Sequence, residues 1–86
     1  MRAVVLYHPK SEHGGQVEDY KRDFKILKNK ELELLSLETV AGAEMAKLYD
    51  VTSYPAVLVM AQDGSLQKIW PGGLPLMNEL DAYFHT

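Results

Sequence analysis

Eighty-six residues make one domain around one core, with no room for a linker and a second unit, and 12 acidic against 9 basic side chains leave a net charge of −3. That balance offers no basic stripe for nucleic acid, and no apolar stretch approaches membrane-spanning length. The short apolar run from Ala3 to Tyr7 lacks a cleavage pattern and is not a signal peptide, so a cytoplasmic protein with neither nucleic-acid nor membrane partners is expected. The absence of cysteine is the sharpest exclusion, because it removes disulfides, thiol catalysis and thiolate metal sites together.

The first element is Ala3-Val4-Val5-Leu6-Tyr7, a β-branched and aromatic run that reads as a buried strand. His8-Pro9-Lys10 ends it, and the polar, glycine-containing connection Ser11 to Gly15 follows. From Gln16 the period changes. Val17, Tyr20, Phe24 and Leu27 fall on one face of a helix, with Ser11 or a residue just after it as the expected cap and Asn29 as the stop. The cations between Lys21 and Lys30 are interleaved with Asp and Glu, which marks a solvated helix end and not a phosphate-binding patch.

Leu32 to Leu37 partly alternates and predicts a second strand, so that strand, helix and strand form a right-handed crossover with parallel strands. A second helix starts at Thr39, or nearer Ala43 because Gly42 weakens its first turn, with Val40, Met45, Leu48 and Tyr49 as its apolar face. Ala56 to Ala61 is the third strand. Asp63-Gly64 is a hairpin signal, and Leu66 to Trp70 is a fourth strand antiparallel to the third. Pro71-Gly72-Gly73 breaks it, and Pro75 fits the first turn of a last helix with Leu76, Met77, Leu80, Tyr83 and Phe84 buried. Trp70 is expected to pack under that helix. The order is β-α-β-α-β-β-α, with no repeats.

The turn before the third strand organises the rest. A proline cannot donate to a ladder, so Pro55 stands at the opening of its strand, and Tyr54-Pro55 is a candidate cis peptide. The run Ala46-x-x-Tyr49-x-Val51-x-x-Tyr54-Pro55-Ala56-Val57-Leu58-Val59-Met60, then Asp63-Gly64, then Gly72, resembles the thioredoxin-like fold family, most closely between Glu44 and Phe84. The resemblance extends over the whole chain as a minimal, glutaredoxin-sized member without the additional N-terminal strand and helix of thioredoxin itself. It implies a four-stranded mixed sheet in the order 2-1-3-4, helices on both faces, parallel first and second strands, and antiparallel third and fourth strands.

The resemblance also implies what is missing. The family's first strand-to-helix loop carries Cys-x-x-Cys, with the helix N-terminus lowering the pKa of the attacking thiol. The equivalent stretch here is Ser11-Glu12-His13-Gly14, with serine at the attacking position and glycine at the resolving one. The buried acid of the family's first strand has no counterpart in Ala3-Val4-Val5-Leu6. Disulfide exchange needs a thiolate and a sulfur leaving group, so redox activity is excluded. Two noncovalent features remain. The residue before the family's cis-proline pairs through its backbone with an extended peptide or glutathione, and here that residue is Tyr54, beside Ser53. Glutathione-binding relatives place Asp or Ser after a Gly-Gly pair, whereas Gly72-Gly73 is followed by Leu74-Pro75-Leu76, which argues against glutathione.

Plainer readings stand beside these. Ser11 is an ordinary cap or loop residue unless an oriented base and an oxyanion site accompany it. His8 and His13 are surface histidines in the absence of a third metal ligand. Tyr54 either packs on Pro55 or also presents an aromatic platform to a partner. The expectation is a noncatalytic, cofactor-free module that holds an extended peptide or partner protein over Ser11, Glu12, His13 and Gly14, over Ser53, Tyr54 and Pro55, and over Gly72 and Gly73. Self-association through the Leu66 to Trp70 edge is a second route. The alternative is an anion-binding protein or enzyme that uses the first helix N-terminus with Ser11 and His13.

Overall fold

A computed structural model describes residues 1–85. Its elements are β1 (Arg2–Tyr7), α1 (Gly14–Lys28), β2 (Glu33–Ser36), α2 (Val40–Leu48), β3 (Ala56–Met60), β4 (Leu66–Trp70) and α3 (Met77–Ala82), followed by a 3-10 turn at Tyr83–His85. The strands form one sheet in the order β2-β1-β3-β4. β1 and β2 are parallel, whereas β1 with β3 and β3 with β4 are antiparallel. The predicted order of elements and strands is the observed one.

The apolar runs of β1 and β3 conceal an alternation, because a strand covered on both faces has no polar side. Ala3, Val5, Tyr7, Val57 and Val59 point to one face, where Val17 and Phe24 of α1 and Leu80 of α3 meet them. Leu6, Ala56, Leu58 and Met60 point to the other, against Ala46 of α2 and Val51. Trp70 packs at the border of the first core, edge-on to Tyr83 at 5.5 Å. α1 is tied to the segment before α3 by the Tyr20 hydroxyl, which donates to the Pro75 carbonyl at 2.9 Å.

Element boundaries depart from the expectations in informative ways. α1 begins at Gly14, not Gln16, and its N-cap is His13, not Ser11. The Ser11 hydroxyl turns back and donates to the His8 carbonyl at 2.7 Å, and no side chain caps the helix. Asn29 does end α1, in the left-handed conformation, with its N–H on the Lys25 carbonyl. α2 takes the earlier of its two starts because the Thr39 hydroxyl accepts from the Gly42 N–H at 3.0 Å. Its inner face is Gly42, Met45, Ala46 and Tyr49, spaced i, i+3, i+4 and i+7, so Val40 and Leu48 lie outside. Leu27 stands at the margin of the buried stripe of α1 and is exposed. Pro75 precedes α3, and Leu76 is an extended N-cap residue facing solvent instead of part of the buried stripe.

Two glycines allow the helices to start where they do. A Cβ on Gly14 would overlap the Pro9 carbonyl, and one on Gly42 would overlap the Ser36 carbonyl, whereas Gly15 faces open space. Gly14→Ala and Gly42→Ala are therefore expected to lower stability by about 1–3 kcal/mol through overpacking. Gly15→Ala, free of any clash, should be neutral or raise stability by up to about 1 kcal/mol. Urea denaturation of the three variants checks the contrast, and equal effects would remove the close-approach argument.

Burial raises the Tyr20 phenol from its ordinary 10.0 to about 12, with a smaller contribution from Glu79. Between those pH values the unfolded chain releases this proton while the folded chain retains it, so the contribution of Tyr20 to stability is intact below pH 10 and declines toward pH 12. An ultraviolet titration should show a late-ionising tyrosine component, and Tyr20→Phe should reduce it.

Candidate functional site

The antiparallel register places Leu6 opposite Ala56, so the loop leaving β1 and the turn entering β3 begin side by side. The turn is positioned by the end of α2. Asp50 adopts a left-handed φ of 55°, and Val51 N–H and Asp50 N–H return to the carbonyls of Ala46 and Lys47. This double C-cap reverses the chain and plants Val51 in the core. The Tyr54–Pro55 peptide is cis, Pro55 is buried, and the Tyr54 hydroxyl donates to the Val51 carbonyl at 2.7 Å. Tyr54 is accordingly half-buried with its polar end engaged, so it packs as well as presenting a surface.

On the opposite side of the turn, the Gly72 N–H donates to the Ser53 carbonyl at 3.2 Å. Gly72 has φ +76°, and a Cβ there would press on the Ser53 Cβ at 3.2 Å, so this glycine is required by both backbone and space. The N–H and C=O of Tyr54 itself take no hydrogen-bond partner among the described residues.

The loop after β1 is closed on itself. His13 Nε2 accepts the His8 N–H at 3.0 Å, the Ser11 N–H and hydroxyl both donate to the His8 carbonyl, and the Gly14 N–H donates to the Ser11 carbonyl. Accepting through Nε2 places the proton of neutral His13 on Nδ1. Ser11 and His13 are not bonded to each other, so the pair lacks the geometry of an activated nucleophile. The N-cap of α1 is His13 and not Ser11, and a Cβ at Gly14 would overlap the Pro9 carbonyl. No side chain caps α1, its first turn carries no acid, and the N–H groups of Gly15 and Gln16 are unpaired among the described residues.

The structure brings Ser53, Tyr54, Pro55 and Gly72 together, and His13 joins them through His8. The His8 ring lies edge-on to Tyr54 at 5.3 Å and 6.2 Å from the His13 ring. Sequence reasoning treated His8 only as a metal candidate. Its place directly after the first strand, opposite the proline turn, was the available signal. Among the described residues, Glu12 and Gly73 form no hydrogen bond or ring contact with this cluster, and Ser11 reaches it through the His8 carbonyl. Among the described residues no three His, Asp or Glu side chains gather as a metal site.

Two open grooves adjoin the turn. One of about 460 Å³ is lined by His8, Leu37, Ala46, Lys47, Val51 and Tyr54 among others, and one of about 420 Å³ by Trp70, Gly72, Gly73 and Leu74 among others. The Ser53–Gly72 hydrogen bond joins the segments that line them.

No protein-family model matches this sequence, and no curated protein matches it. Among solved structures, the chain is similar to thioredoxin 1 of the thermophilic eubacterium Thermosipho africanus. The two share 10% identity and a TM-score of 0.72 over 99% of this chain and 96% of the other. With the strand order 2-1-3-4 and three helices, that likeness establishes a thioredoxin-like fold in a chain without cysteine.

Proposed function

We propose that this chain is a noncatalytic thioredoxin-like module that takes an extended peptide, or a segment of a partner protein, across the Ser53–Pro55 turn. The observation that carries the reading is the unpaired backbone of Tyr54, which lines one groove itself and whose neighbour Ser53 is bonded to Gly72 of a second. A peptide in extended conformation satisfies such a donor and acceptor together, and its alternate side chains enter the flanking grooves. The internal closure of the His8–His13 loop supports a binding role over a catalytic one, since its serine and its histidine are each already engaged. The proposal includes a cytoplasmic location. No helix among the described residues is long and apolar enough to cross a membrane.

A second reading has its own support in the uncapped start of α1, where two free N–H groups and the helix dipole favour an anion. The two separate in one experiment. Extended peptides selected from a random library are titrated into labelled protein while backbone amide resonances are followed. The binding-module reading expects shifts centred on Ser53, Tyr54 and Gly72. It also expects a loss of affinity of about tenfold or more in Tyr54→Ala and little change in Ser11→Ala. If no peptide binds, while phosphate moves the amides of His13 to Gln16 and Ser11→Ala or His13→Ala abolishes the effect, the anion reading replaces it.

A further inference from the structure

α2 is apolar on both sides. Its inner face is accounted for by the core, but its outer face presents Val40 and Leu48, 74% and 73% exposed, with Ala43 between them. Only Glu44 and Lys47 interrupt that surface, and neither forms an ion pair among the described residues. Val40, Ala43, Glu44, Lys47 and Leu48 follow i, i+3, i+4, i+7 and i+8, the spacing of a face that packs against another element. α1 shows the contrast. Its exposed Ile26 and Leu27 sit among Asp19, Lys21, Arg22, Asp23, Lys25 and Lys28, which form a dense network of ion pairs and hydrogen bonds.

We propose that the outer face of α2 binds a second copy of this chain, α2 against α2 in antiparallel orientation about a twofold axis. The charge pattern selects that occupant. An axis passing beside the midpoint of Met45 and Ala46 sets Glu44 of each copy opposite Lys47 of the other and sets Ala43 opposite Leu48. The carboxylate–ammonium pair then forms twice by symmetry, and each small residue meets a large one. The same register carries Val40 toward the other copy's Asp50–Thr52 segment, where the groove lined by Ala46, Lys47 and Val51 lies open. A face with two like charges would need a different partner; this one is complementary to itself. The proposal goes beyond the peptide reading and does not depend on it; the two share this groove, so a second copy and a peptide compete for it.

A nine-residue helix is about 13 Å long, which makes the interface small and the dimer one that forms at high concentration. Sedimentation equilibrium up to about 1 mM protein is expected to show reversible dimerisation. E44K and K47E are each expected to weaken it at least about tenfold, because symmetry applies each repulsion twice. An equimolar mixture of the two single variants should recover association as a heterodimer, and the double exchange E44K/K47E should recover it as a homodimer. These side chains are exposed, and circular dichroism verifies that the variants remain folded. A strictly monomeric wild type overturns the proposal, as does a dimer indifferent to both reversals or single variants that do not complement each other.

Discussion

β1 and β3 lie side by side with both faces covered, and the rest of the molecule follows from that constraint. Ala3, Val5 and Leu6 pair with Val59, Val57 and Ala56, and all six side chains are fully buried. Burial on both faces demands helices on both, so α1 and α3 cover one side and α2 the other. The antiparallel register then decides where a surface site is possible. Because Leu6 faces Ala56, the end of β1 and the start of β3 coincide, and the connection after one meets the turn before the other. The ring contact between His8 and Tyr54 is a direct consequence of that register.

The parts of this arrangement legible in the sequence are those governed by local backbone chemistry. The Asp63-Gly64 turn, with Gly64 at φ +88°, and the left-handed stop at Asn29 were both visible as residue types. The strand order was legible because the proline-opened third strand and its following turn carry the family's spacing. Side-chain commitments were not legible. Ser11 has the composition of a cap, but its hydroxyl turns back toward the His8 carbonyl and His13 stands at the helix start. Leu76 looked buried by spacing, yet its extended backbone places it before the helix and not within it. At the site, Ser53, Tyr54 and Gly72 were found from the turn, whereas the bridge through His8 needed three-dimensional proximity across β1 and β3.

The chain has a thioredoxin-like fold without cysteine. The turn, the Ser53–Gly72 contact and the start of α1 are all built, whereas cysteine is absent. At Gly14 the Pro9 carbonyl occupies the space a side chain would need, so a cysteine three residues after Ser11 requires a backbone shift as well as an exchange of residues. The backbone of His8 holds this loop in a fixed shape beside Tyr54, its N–H bonded to His13 and its carbonyl to Ser11.

α2 shows how a close approach on one side of a helix shapes the other. Its start must pass over the end of β2, and the Ser36 carbonyl admits only glycine at position 42. One turn on, the small side chain of Ala46 packs on the core beneath. Met45 and Tyr49 pack inward beside Gly42 and Ala46, whereas Val40 and Leu48 stand outside. A search for large apolar residues thus mixes the two faces of this helix, placing Met45 and Tyr49 correctly and Val40 and Leu48 wrongly in the core. The branched apolar side chains of this short helix face solvent. Burying that surface against another chain removes it from water without disturbing the close approach at Gly42. The geometry that constrains the inner face thereby leaves the outer face free for association.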